Sequence, residues 1–400
     1  MATAVEPYLV KPDRRFVETI VARGGGDLKH CFQCATCSVV CELAEGRRPF
    51  PRKEMHWAQW GLKDRLVADP DVWLCHQCND CSARCPRGAR PGDVLAAVRQ
   101  QAVRHWAVPR FLAAWVADVR MLPVMVLLSA GLLGLALLAR EPINRAMGVT
   151  EHHGLYAEFV PHWLLNTFFP LFTLLSFGLM VVGLARFWNA MHRAENGTDR
   201  GTPAVGIVPS IVRTITTILM HDRFGKCGAR ADRRWTHLAA FYGFLALFVV
   251  TVWAVVDIYV NPALGIASRY PFGLLHPMKL LANVGGVLLI YGSAKAIVDR
   301  RRTDAEVGAS TAFDLTFLWL LFGVGVTGFA TEVFRFAVAP TTEGAPVTAA
   351  YATYFVHLVL VFQLLVYLPY SKFAHVFFRT LAMVYAERTA RQRLGGGVTT

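Results

Sequence analysis

Two cysteine runs of one spacing decide what the first quarter of this chain becomes. Cys31-x2-Cys34-x2-Cys37-x3-Cys41 and Cys75-x2-Cys78-x2-Cys81-x3-Cys85-Pro86 hold eight of the nine cysteines in 400 residues. Each iron of a [4Fe–4S] cube takes one soft thiolate, and in two-cluster proteins the fourth cysteine of a run usually ligates the other cube. The spacing therefore predicts one cube on Cys31, Cys34, Cys37 and Cys85, and a second on Cys75, Cys78, Cys81 and Cys41. Paired C-x2-C units also bind zinc, but zinc sites usually lack the third and fourth cysteines at this spacing. The odd cysteine, Cys227, is read as a free thiol.

Hydrophobic residues make up 54% of the chain, and they are concentrated beyond a polar, cysteine-rich first 110 residues. Met121–Ala139, Leu164–Ala185, Leu238–Val260, Pro277–Val298, Leu315–Ala339 and Ala352–Ala374 are each long enough to cross a bilayer. The expectation is an all-α protein with three parts. Residues 1–110 form a cytoplasmic two-cluster ferredoxin-like domain, 111–385 a six-helix membrane cytochrome b bundle, and 386–400 a disordered cytoplasmic tail.

Orientation follows from the positive charges. Arg110 and Arg120 precede the first span, Arg186, Arg193, Arg200, Arg213, Arg223, Lys226, Arg230, Arg233 and Arg234 crowd the second loop, and Arg300–Arg302 and Arg379–Arg393 follow the fourth and sixth spans. The opposite loops carry chiefly Arg140, Arg145 and Arg269. Both termini and the cluster domain are expected in the cytoplasm, on a multi-pass protein of the inner membrane. No apolar h-region opens the chain, so no cleaved leader is expected. The net charge of +13 is then a positive-inside signature, and without a recognition motif no nucleic-acid partner is expected.

Within the cluster domain, Arg14–Ala22 and Arg52–Trp60 have helical periodicity, with Met55, Trp57 and Trp60 as packing residues. Asp93 is a candidate cap for Val94–Val103, and Gly24-Gly25-Gly26 a turn. Phe32, Val39, Val40, Trp73 and Leu74 are expected to shield the cubes from water and tune their potential.

Four histidines lie inside or at the ends of the spans: His237, His276, His357 and His375. Ionisable groups at membrane depth point to function. With the N-terminus inside, His237 and His375 pair at the inner face and His276 and His357 at the outer face, each pair supplying two axial ligands to one b-type haem. Read as one helix, the sixth span sets His357 and His375 18 residues apart, five turns on one face and roughly 27 Å along the axis. Pro369 lies between them as a possible kink. Gly285, Gly286, Gly323, Gly325 and Gly328 admit either a macrocycle or a neighbouring helix. His152, His153 and His162 are read as outer solvent or interfacial residues. His30, His56, His76, His105, His192 and His221 are read as ordinary cytoplasmic ones. Ile207–Met220 is an amphipathic stretch, apolar at Ile211, Ile215, Ile218 and Leu219, polar at Ser210, Arg213, Thr214 and Thr217. It is expected along the cytoplasmic interface, with partner docking the alternative.

The segments His30-Cys31-Phe32-Gln33-Cys34 and Asp69-Pro70-Asp71-Val72-Trp73-Leu74-Cys75-His76-Gln77-Cys78 resemble the C-subunit of heterodisulfide reductase. The remainder is similar to that enzyme's membrane cytochrome b subunit and, more distantly, to the gamma subunit of respiratory nitrate reductase. Their fusion resembles the C-subunit of the quinone-interacting membrane-bound oxidoreductases of sulfur metabolism. The cysteine motifs are shared with relatives of the glycerol-3-phosphate dehydrogenase C-subunit. Glu42 stands where many ferredoxin-type runs have proline. The resemblance implies two [4Fe–4S] clusters, two b haems, menaquinone as substrate, and two cytoplasmic flavin- and cluster-containing subunits leading to adenylylsulfate reductase. A quinone site beside a haem needs an apolar slot and proton-exchanging groups, for which Lys279, Glu332 and Arg335 are candidates. The implied function is electron transfer between the quinone pool and that soluble complex. The alternatives are a quinol-oxidising subunit of a heterodisulfide or sulfite reductase-type complex, and a membrane anchor that binds no haem.

Overall fold

The computed structural model describes residues 11–45, 48–148, 155–195, 205–221, 233–301, 308–338 and 344–389. Cys227, His152, His153, Arg200, Arg223, Lys226, Arg230, Arg302, Arg391, Arg393 and the last eleven residues lie outside them. The described chain is helical, with one isolated bridge between Glu45 and Arg48 as its only β pairing.

Six helices are long and apolar enough to cross a membrane: Val119–Leu138, His162–Ala194, Arg233–Ala263, Pro277–Asp299, Ala312–Ala337 and Ala345–Val366. Five match the expected spans, the second running further than the apolar pattern implied. The sixth differs. Its helix stops at Val366, where the Tyr367 N–H closes on the Gln363 carbonyl. Pro369 has no N–H and its ring clashes with the carbonyl four residues back, which disfavours continuing the helix through it. The Ser371 side chain then accepts from the Phe373 N–H to open a short turn, Lys372–Ala374, and a separate helix runs His375–Arg388. His357 and His375 are therefore on different helices, and the five-turn alignment expected of one rod does not apply.

Glycines close the bundle. A Cβ on Gly243 would sit 2.6 Å from the Leu289 nitrogen, and one on Gly285 2.8 Å from Ala246 Cβ, so the third and fourth spans cross in near backbone contact. Gly286 faces the Phe329 ring, Gly325 faces Ile290 and Gly323 faces Leu360. These four take the helix-packing role; Gly328 alone of the five faces a histidine, His357.

The cluster domain is built on Phe16, Ile20, Leu28, Met55, Val72, Leu95 and Val98. Arg14–Ala22 forms as expected, with the Asp13 carboxylate accepting from the Phe16 N–H at 2.9 Å. Arg52–Gln59 buries Met55, but Trp60 is 51% exposed and leans on His56 instead of the core. Lys53 Nζ lies 3.1, 3.0 and 2.9 Å from Glu54, Asp69 and Asp71, tying this helix to the segment that leads into the second cysteine run. The helix Pro91–Trp106 starts ahead of Asp93, so Asp93 sits in its first turn and is not its cap. Its carboxylate instead accepts from the Ala309 N–H at 2.9 Å, anchoring the loop that enters the fifth span.

The two halves share one core. Trp73 stacks on Phe378 at 5.1 Å and meets Phe187 edge-on at 6.3 Å, among Met180, Met191, Ala382 and Tyr385. The cluster domain thus covers the end of the bundle where the second span finishes and the helix after the sixth begins.

Candidate redox centres

The two cysteine runs adopt the same backbone path. Gln33 and Ala35, flanking Cys34, have φ of 60° and 70°; Gln77 and Asn79, flanking Cys78, have φ of 52° and 66°. Left-handed geometry at a residue other than glycine costs about 1 kcal/mol each. The repeated strain wraps the chain around the middle cysteine of each run. Short helices, Thr36–Val39 and Asp80–Ala83, then carry the third cysteine and pack on each other.

The sulfurs gather in crossed sets. Cys31 and Cys37 interact electrostatically with Cys34 and Cys85, whereas Cys41 and Cys81 each interact with Cys75 and Cys78. The first set lines a hollow with Phe32, Arg52 and Arg87. Burial pushes the Cys37 thiol up to about 11 and Cys41 to about 12, and Cys81 well above its ordinary value, while Thr36 draws the exposed Cys34 down through its hydroxyl. Converging half-buried thiols suit cationic iron, whose charge replaces their protons.

The two sets face different ways. Val39 is 85% exposed and does not line the hollow, contrary to expectation; Phe32 is 67% exposed but lines it, with Arg87 4.2 Å over its ring. Trp73 and Leu74 are buried, but against the membrane half. The Cys31 set opens to solvent and the Cys75 set abuts the bundle.

Two arginines clamp that second run. Arg379 donates to the Cys75 carbonyl at 3.1 Å and to His76 Nδ1 at 2.8 Å, and Arg233 donates to the Gln77 carbonyl at 2.8 Å. Arg379 is one helical turn after His375, and Arg233 one turn before His237. His237 and His375, which interact electrostatically with each other, are therefore each about 6 Å along a helix from a contact to the cysteine loop. A carbonyl only accepts, so the 2.6 Å contact between His375 Nδ1 and the Lys372 oxygen puts the proton on Nδ1 and leaves Nε2 with a lone pair. That arrangement fits an axial haem ligand. His221, read from sequence as an ordinary cytoplasmic histidine, also reaches this site. Its signal was obscured because it lies outside every apolar span.

At the opposite end, His276 caps the fourth span, accepting from the Met278 N–H at 3.2 Å, with its ring 4.4 Å from Phe272 and nearly parallel. Lys279 Nζ and Glu332 Oε2 pair at 2.8 Å, and Arg335 donates to the Pro271 and Phe272 carbonyls. His357 Nδ1 meets the Thr327 hydroxyl at 2.9 Å, beside Gly328. His357 thus sits at the level of Gly328 and His276 near that of Glu332–Arg335, a stagger of about 6–10 Å along the bundle.

Comparison with known proteins agrees with this division. Residues 27–89 match the 4Fe-4S dicluster domain. The N-terminal part is 42% identical over 94 residues to the C-subunit of the H(2):CoB-CoM heterodisulfide,ferredoxin reductase of Methanothermobacter marburgensis, covering 23% of this chain and 50% of the relative. It is 34% identical over 97 residues to a protein of Archaeoglobus profundus named as like the heterodisulfide reductase C-subunit, covering 24% and 52%. The chain spans about half the length of these relatives. Citrate utilization protein B of Escherichia coli is 28% identical over 371 residues, 88% of each chain. The citrate utilization protein B family matches residues 116–396, most of the membrane half and its following helix. The cluster domain is thus of the kind found in the heterodisulfide reductase C-subunit, and the chain as a whole belongs to the citrate utilization protein B family.

Proposed function

We propose that this chain is the membrane electron-transfer subunit of an oxidoreductase, linking the menaquinone/menaquinol pool to cytoplasmic flavin/iron–sulfur subunits. The observation that carries this reading is the clamp on the second cysteine run, which joins it to the helices of His237 and His375 through Arg233 and Arg379. When bound, two [4Fe–4S] clusters and two b haems supply a series of one-electron carriers. Cys31, Cys34, Cys37 and Cys85 hold the solvent-facing cube, and Cys75, Cys78, Cys81 and Cys41 the one against the bundle. His237 and His375 would hold the inner haem, and His276 and His357 the outer. Lys279, Glu332 and Arg335 flank a quinone slot at the outer end, where the Lys279–Glu332 pair can exchange a proton with a bound quinol oxygen. The six spans and the basic loops support a multi-pass protein of the cytoplasmic membrane with the cluster domain inside.

The soluble partner's substrate divides two readings. The sulfur-metabolism resemblance points to adenylylsulfate reductase, whereas the relative covering 88% of the chain is named for citrate utilization, which favours a role in the use of citrate. The deciding experiment for the common part is haem b per polypeptide, by pyridine haemochromogen assay on the anaerobically purified chain, with His237→Ala and His357→Ala alongside. Two haems, one lost in each variant, is the expected result. No haem in a folded preparation would leave a cluster protein with a membrane anchor.

A further inference from the structure

His221 follows helix Ile207–Met220 and is 5% exposed. Its backbone is left-handed at φ 51°, its N–H closing on the Thr217 carbonyl, and this turn swings the ring back onto the start of the third span. There His221 Nε2 lies 3.0 Å from His237 Nδ1, while His221 Nδ1 lies 3.3 Å from the Leu219 carbonyl oxygen.

The order of donors in this chain is determined by its end. Leu219 O can only accept, so His221 Nδ1 carries a hydrogen. In the neutral ring Nε2 is then an acceptor, and the hydrogen between the two rings belongs to His237 Nδ1. His237 is left with a lone pair on Nε2, the same tautomer that the Lys372 carbonyl imposes on His375. We infer that His221 is a positioning residue that holds His237 as its Nδ1–H tautomer and presents Nε2 to a metal. This rests on the assignment of His237 as a haem ligand.

The bracing of His221 supports the assignment. The Tyr242 hydroxyl donates to the same Leu219 oxygen at 2.7 Å. Ser210 and Thr214 are fully buried where helix Ile207–Met220 lies on helix His375–Arg388, and Arg213 pairs with Glu387 at 3.0 Å. One helix thus begins with His375 and also carries the element that orients His237. Of its apolar residues, Ile218 packs on Met383 and Ala386, while Ile211, Ile215 and Leu219 are exposed.

Hydrogen bonding from Nδ1–H to an acceptor makes an imidazole a stronger electron donor at Nε2, and losing it raises a bound iron's potential. The test uses the full chain in detergent under anaerobic conditions, with His221→Phe, His221→Gln and His237→Ala. The readouts are haem per polypeptide, low-temperature EPR g-values and the midpoint potential of each haem. His237→Ala identifies the inner haem's signal. His221→Phe is expected to keep both haems, shift that signal alone and raise its potential, and His221→Gln, whose side-chain oxygen can accept in place of Nε2, to restore most of both. Unchanged g-values and potential with both haems bound would overturn the role of His221 and leave the haem assignment standing. Loss of the inner haem in both His221 variants would make His221 itself the ligand and also overturn it. Absence of haem from the unsubstituted chain would defeat both readings together.

Discussion

Arg379 donates to the carbonyl oxygen of Cys75 across 3.1 Å, joining residues more than 300 positions apart in sequence. One belongs to the loop that presents thiolates, the other to the helix that begins with His375. Charged hydrogen bonds of this kind contribute about 1.5–3 kcal/mol each. Arg379→Ala is therefore expected to loosen the second cysteine loop selectively. Iron release to a strong chelator should accelerate several-fold for one cluster while the other keeps its rate; equal acceleration of both would contradict the clamp.

The crossed gathering of sulfurs makes a prediction that a run-by-run arrangement does not. Cys85→Ala, in the second run, should damage the cube served by the first run, and Cys41→Ala the reverse. EPR of the reduced variants checks this. Cys85→Ala should share its lost signal with Cys34→Ala, and Cys41→Ala with Cys78→Ala.

His105, at the end of helix Pro91–Trp106 with its ring 4.5 Å from Trp106, is pushed down to about 4, first by burial and then by Lys63 and Arg110. Its folded value lies below the ordinary 6.5, so on acidification the unfolded chain takes up the proton first. Stability from this group is complete above pH 6.5 and is lost as pH falls toward about 4. Thermal midpoints measured across that window should fall less steeply in His105→Gln than in the unsubstituted protein.

Gly243 is where the third and fourth spans touch, with 2.6 Å between a hypothetical Cβ and Leu289 N. Backbone cannot yield as a flexible side chain would, so Gly243→Ala should cost about 1–3 kcal/mol, the usual range for overpacking. Gly131→Ala, where nothing lies within 4 Å, serves as control and should leave the thermal midpoint in detergent unchanged.

Much of this architecture was legible in advance, because spans and cysteine runs are local patterns. A run of about twenty apolar residues and a repeated spacing of thiols both declare themselves without knowledge of the rest of the chain. What could not be read was long-range. Val39 was expected over the clusters because it is apolar and adjacent, but adjacency does not say which side of a loop meets solvent. His221 looked ordinary because its importance comes from a ring sixteen residues away on another helix. Asp93 looked like a cap, and its partner turned out to be a backbone N–H in the loop before the fifth span.

The break at Pro369 also frees the geometry of the two histidines on either side of it. Were His357 and His375 on one rigid rod, every inserted residue would rotate one ring about 100° against the other. Separated by a turn that opens at Ser371 and by a new helix that starts at His375, they sit on two separate brackets. Insertions or deletions around Leu368–Tyr370 should change the distance between them while leaving each ring facing its own neighbours. Spacing and orientation can then vary independently, and related chains can differ in the length of this joint and still aim both rings correctly.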